Sequence, residues 1–149
     1  MSPILIACGG FLLAVLWMDL MFDVQVLRHR GDGDLPEAVL ASIAGYYRRV
    51  TTDAWPMNRV IGLAMVIAVV TLVVKVLWPT GPRWVALLSL PLCAGPVFVV
   101  PRVFRNAVRL GTRADSLPTQ SALARGICRD HLFCLAGIVA FLALQLSAS

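Results

Sequence analysis

Four stretches of this chain are each long and apolar enough to cross a membrane, and no other feature constrains its fold as tightly. They run from about Pro3 to Leu27, Asn58 to Trp78, Trp84 to Val100 and Ile127 to Leu146. A hydrocarbon core of about 30 Å takes roughly 20 helical residues to cross. Unpaired backbone groups find no water there, so an open sheet is excluded and every span must be a helix. The expected fold class is all-α, an integral membrane four-helix bundle forming one domain over residues 1–149. Composition points the same way. With 59% hydrophobic and 14% charged residues and a mean hydropathy of +0.82, the chain has too little polar surface to cover a soluble domain. No basic segment precedes the first run and no small-residue cleavage site closes it, so a retained span is expected rather than a cleaved leader.

Orientation follows from the basic residues. The loop between the first two spans carries Arg28, Arg30, Arg48, Arg49 and Arg59, and the region between the last two carries Arg102, Arg105, Arg109, Arg113, Arg125 and Arg129. The middle turn, Trp78-Pro79-Thr80-Gly81-Pro82-Arg83-Trp84, has only Lys75 and Arg83 near it. The positive-inside rule then predicts both long loops in the cytoplasm and both termini outside, in a multi-pass protein of the cell's inner or plasma membrane. Trp78 and Trp84 bracket the tight turn as aromatic anchors would. The net charge of +5 resides in loops and helix ends, which suits anionic head groups and not nucleic acid. Cys8, Cys93, Cys128 and Cys134 form no CxxC pair and read as small buried hydrophobes.

Both long loops carry helical signals. Asp34-Leu35-Pro36-Glu37 has the form of a capping box with proline in the first turn. Val39, Leu40, Ile43, Tyr46, Tyr47 and Val50 then recur at helical spacing. Two placements fit this amphipathic helix: on the cytoplasmic membrane surface with its tyrosines at head-group level, or packed on the bundle. The third helix is expected to run on to Leu110 with Gly111 as its C-cap, and the fourth to start at Asp115 or Ser116 ahead of Pro118. Pro91, Pro96 and Pro101 predict kinks in the third helix, with a cavity opening beside Gly95.

The chemistry of the chain concentrates at Asp19-Leu20-Met21-Phe22-Asp23, late in the first span. A carboxylate at mid-membrane costs about 2.5–3.5 kcal/mol on insertion scales. Two carboxylates four residues apart share one helix face, which must look into the bundle. Asn58 and Arg59 on span two, Arg102, Arg105 and Asn106 on span three, and Arg129-Asp130-His131 on span four reach the same depth. Three readings of this cluster stay open. Asp19 and Asp23 could pair with arginines and lock the packing. Asp19, Asp23, Asp130 and His131 could ligate a hard metal, although no ExxH repeat accompanies them. The third is a pocket for an amphipathic or anionic ligand, its head group held by arginines. On that reading Asp19, Asp23 and His131 are the catalytic candidates, with His131 a general base beside Asp130, or otherwise a satisfied boundary histidine. The ligand-binding candidates are Arg59, Arg102, Arg105, Asn106, Arg109 and Asp130, the arginines having head-group anchoring as their simpler role. A haem between His29 and His131 is a further option, and the sequence specifies no cofactor.

The stretch Phe22-Asp23-Val24-Gln25-Val26-Leu27-Arg28 and the basic run Arg102 to Arg109 resemble, in texture and placement, the membrane-associated eicosanoid and glutathione metabolism family. That resemblance covers the topology of the whole chain and implies four helices, outside termini, a trimer and glutathione. Where the family opens its second helix with an Arg, Asn, Glu pattern, this chain has Arg49-Val50-Thr51-Thr52-Asp53. The layout is also similar to the anthrone-oxygenase-like membrane proteins. The leading functional expectation is a cytoplasmic-side polar pocket that binds, and in its stronger form modifies, a lipophilic or amphipathic small molecule. The alternatives are a small membrane transferase or oxygenase like those two families, and a non-catalytic accessory or assembly subunit. The expected partners are lipid head groups and either further copies of the chain or a partner membrane subunit.

Overall fold

The computed structural model describes residues 2–29, 31, 33–53, 55–79 and 81–148, with the side chain of Trp55 left aside. Its elements are helical throughout. Helix α1 spans Ser2–Asp23 and tightens into a 3-10 turn over Val24–Arg28. Helix α2 spans Glu37–Arg48 and widens into a π turn over Arg49–Asp53. Helices α3 (Trp55–Leu77), α4 (Arg83–Thr112) and α5 (Leu117–Ser147) complete the chain. Four of these helices, all but α2, are long and apolar enough to cross a membrane.

The four long helices alternate in direction, and three apolar clusters stack along the bundle. At the end holding both termini, Leu5 of α1 meets Ala68 and Leu72 of α3 and Phe141 of α5. Leu16, Leu20, Cys134 and Ile138 fill the middle. At the other end Val26, Leu40, Ile43, Ala44, Tyr47, Val103, Ala107, Leu110 and Ile127 close together. All four cysteines are free, with Cys128 and Cys134 buried in these clusters.

Close approach between helices is bought with glycine at three points. A Cβ on Gly9 would stand 2.7 Å from Leu142, so α1 lies tight on α5. At Gly137 a Cβ would stand 3.3 Å from the Leu92 carbonyl. That carbonyl is the one whose helical partner Pro96 cannot supply, lacking an N–H, so α5 nestles where the proline has opened the α4 ladder. Helix α4 nevertheless runs unbroken through Pro91, Pro96 and Pro101. Gly95 faces Phe133 rather than a cavity.

Two expected caps are different. Gly111 lies inside α4, which ends at Thr112 with Arg113 in the left-handed conformation (φ 57°) as its C-cap. Gly111 serves packing instead, since a Cβ there would stand 3.1 Å from the Arg48 backbone nitrogen of α2. Asp34 makes no capping bond to α2, whose N-cap is Pro36. The approach to α2 is held from α5: the Leu35 N–H donates to Ser121 Oγ at 2.9 Å, and Arg125 donates to the carbonyls of His29 and Gly33, each at 2.8 Å. Arg113 pairs with Glu37. Helix α2 is thus packed on the bundle, the second of its two expected placements, with Leu40, Ile43, Ala44 and Tyr47 buried.

Candidate functional site

The two tyrosines of the chain answer the two aspartates of α1. Tyr46 Oη donates to Asp19 Oδ1 at 2.7 Å. Tyr47 Oη lies 2.7 and 2.9 Å from the two oxygens of Asp23. Asp23 is fully buried, so its charge must be met by donors inside the protein. Tyr47 supplies one and His131 of α5 the other, with Nδ1 2.6 Å from Asp23 Oδ2. Burial, then the neighbouring carboxylates, pushes both phenols above their ordinary range, so both stay protonated and donate. Phe22 stacks on Tyr46 with ring centroids 4.2 Å apart, fixing that ring over α1. Gln25 Nε2 donates to Ser42 Oγ at 3.1 Å one turn farther along.

The arrangement divides the aspartates by role. Asp23 holds the imidazole through Nδ1, which in the neutral ring places the proton there and leaves Nε2 with a free lone pair. Nε2 lies 3.9 Å from Asp19 Oδ2, beyond hydrogen-bond reach. Asp19 Oδ2 and His131 Nε2 are therefore near each other without satisfying each other.

Both residues line a cavity of about 460 Å³. Its walls run from Gly9, Ala68 and Phe141 near the terminal end, past Met65, Pro96 and Ile138, to Asp19, Tyr46, Thr51, Asn58 and His131 at the α2 end. The volume falls in the range of small-molecule pockets, which are mostly apolar with a few converging polar groups.

The other predicted site residues lie elsewhere. Arg102 forms a two-pronged pair with Asp130, Nε to Oδ2 at 2.9 Å and Nη2 to Oδ1 at 2.6 Å, on the outer side of the α4–α5 contact. Asp130 is buried and engaged by Arg102. Arg109 pairs in the same way with Asp115 at 2.8 and 2.7 Å. Arg59 and Arg105 are exposed and Asn106 half-buried. None of these six is among the described residues that line this cavity. Asp19 and Asp23 are met by phenols and an imidazole in place of the expected arginine partners. Among the described residues no group of three or more His, Cys, Asp or Glu is placed to hold a metal ion. His29 lies past the end of α1, its carbonyl held by Arg125.

Sequence reasoning missed Tyr46 and Tyr47 as partners of the aspartates, and Thr51 as part of the cavity wall. A signal for the tyrosines existed: two buried carboxylates need donors, and adjacent tyrosines on an apolar helix face are protic groups on the element nearest in sequence. No protein-family model, curated protein or solved structure matches the chain.

Proposed function

We propose that this is a four-span membrane protein, with termini outside and α2 on the cytoplasmic side, whose cavity binds a lipophilic or amphipathic small molecule with its polar end at Asp19 and His131. Membrane insertion is supported by what the bundle leaves uncovered: Trp17, Leu63, Phe98 and Phe133 are 62%, 60%, 82% and 56% exposed, too much apolar surface to leave to water. The orientation is supported by charge. Arg28, Arg48, Arg49, Arg102, Arg105, Arg109, Arg113, Arg125 and Arg129 all belong to the α2 end, whereas Lys75 and Arg83 flank the turn at the other. Trp78 and Trp84 beside that turn are 67% and 55% exposed, as interfacial anchors are.

The observation that carries the binding reading is the cavity itself, an apolar shaft ending on an imidazole whose far nitrogen is held by a buried carboxylate. Such a held imidazole is equipped to take a proton at Nε2 from a bound molecule and return it, with Asp23 stabilising the charged ring. That is the stronger form of the reading, in which the ligand is modified. Co-purification tests the weaker form. Mass spectrometry of an organic extract from the purified protein should find a lipophilic molecule that is lost from Met65→Trp, which fills the shaft without touching its polar end. Identical extracts from the two proteins would sink the reading.

A structural role is favoured by a different observation, the bonds from Tyr46 and Tyr47 that tie α2 to α1. On that reading the protein is an accessory subunit, and Asp19→Asn and His131→Ala should disrupt assembly. On the first reading both variants assemble normally and lose ligand.

A further inference from the structure

The polar end of the cavity has an unbalanced inventory of hydrogen-bonding groups. Its protic side chains are already committed. Tyr46 donates to Asp19 at 2.7 Å, Tyr47 to Asp23 at 2.7 Å and Thr51 Oγ1 to the Tyr47 carbonyl at 2.7 Å. Asn58 Nδ2 points one N–H at the Val50 carbonyl, 3.4 Å away. What remains toward the cavity is mainly acceptors: Asp19 Oδ2, the Asn58 side-chain carbonyl, the lone pairs of Thr51 Oγ1, and His131 Nε2 in the neutral ring. Charge repeats the pattern. Two carboxylates face one imidazole here, and the described lining residues include no arginine or lysine. An anionic head group would meet Asp19 with no arginine or lysine among the described lining residues to offset it, and in a low-dielectric site that repulsion is strong.

We propose, building on the binding reading above, that the cavity's ligand class is the lipophilic amine, a protonated alkyl- or arylammonium. Its nitrogen lies against Asp19 Oδ2 and His131 Nε2, and its apolar body lies along the shaft past Met65 and Pro96. The 3.9 Å between those two atoms leaves both within reach of one ammonium nitrogen at hydrogen-bond distance of about 2.8 Å from each. An ammonium brings the donors and the positive charge that the site lacks. Asp19 is the member of the pair suited to receive it, because Asp23 is fully enclosed and spent on Tyr47 and His131.

Octylammonium, octanol and octanoate form a set matched in chain length that separates charge from hydrophobicity. Each is titrated into the full-length protein in nanodiscs of zwitterionic phosphatidylcholine, and thermal unfolding is followed. Octylammonium should raise Tm saturably, with an apparent affinity at least tenfold above that of octanol and octanoate. Asp19→Asn should remove that tenfold preference while octanol behaves as with wild type. If Asp19→Asn does not fold, the three-probe ranking on wild type decides alone. Equal or tighter binding of octanol or octanoate to the wild-type shaft, abolished in Met65→Trp, would overturn the amine assignment and leave the binding reading intact. Absence of any saturable shift with all three probes would overturn both.

Discussion

The two ends of the bundle solve the burial of polar groups in opposite ways. At the α2 end, Asp23, Tyr47 and His131 form a connected set in which each buried group has a partner, and the set borders a cavity. At the terminal end the buried polar pair is Ser89 and Gln145, with Gln145 Nε2 donating to Ser89 Oγ at 2.6 Å and Gln145 Oε1 left without a partner. That neutral pair joins α4 to α5. Apolar contacts of Leu5, Leu72 and Phe141 carry the packing around it. The comparison teaches that the two carboxylates of α1 sit where α2 adds its phenol donors, Tyr46 to Asp19 and Tyr47 to Asp23.

The sharpest way to break this contrast is Asp23→Ala. It strips Tyr47 and His131 of their shared acceptor and opens a void, and should lower stability by about 3–5 kcal/mol, read from unfolding in detergent micelles. Asp23→Asn keeps one acceptor oxygen and should cost clearly less. A loss in Asp23→Ala no larger than that of a surface variant would mean that the network does not hold the α2 end together. Next in size is Gly111→Val, which drives a side chain into the Arg48 backbone and should cost about 1–3 kcal/mol by lifting α2 from α4. It should also weaken any ligand binding, since α2 contributes Tyr46 to the cavity. Gly9→Val drives a side chain into Leu142 and the buried Phe141 ring, so it should destabilise the terminal end and spare the α2 end.

At the terminal end the single change Ser89→Ala should cost about 1–2 kcal/mol, because it leaves the Gln145 amide buried and unmet. The double change Ser89→Ala with Gln145→Leu should cost less than the single one, a coupling visible in a double-mutant cycle. Strict additivity would show that the pair is not a unit. The smallest effect belongs to Arg109→Ala. Its pair with Asp115 is exposed, and exposed ion pairs contribute little. The bond from Arg109 holds the Asp115 carboxyl below its ordinary value, so what stabilisation it gives is present at neutral pH and lost as pH falls through that lowered value. Stability at pH 7 should be unchanged within error in this variant.

Much of the fold is legible in the residues. Apolar length alone marks the four long helices, and their observed bounds extend the expected spans chiefly where α4 runs to Thr112 and α5 starts at Leu117. The Asp19–Asp23 spacing places both carboxylates on an inward face, and both do turn inward. The arginine clusters mislead about the site because charge and depth do not reveal what intervenes. Arg102 and Arg109 lie at the expected level but point to Asp130 and Asp115, partners close on the same hairpin. Gly111 looks like a cap because glycine after a helical run usually is one. Its use as a contact with α2 depends on a partner 63 residues earlier in the chain, at Arg48.

The sequence by itself therefore determines the class of this protein: length and hydropathy set four apolar helices, and the cost of an unmet carboxylate forces Asp19 and Asp23 toward the interior. Only the tertiary structure decides who meets them. Helical periodicity gives α2 an apolar face that suits a membrane surface and a bundle equally, since lipid and protein core are both apolar. Packing resolves the choice, because on the bundle the two tyrosine hydroxyls meet the carboxylates of Asp19 and Asp23. That same placement gives Asp23 a second donor beside His131 and sets Tyr46 with Asp19 on the cavity wall.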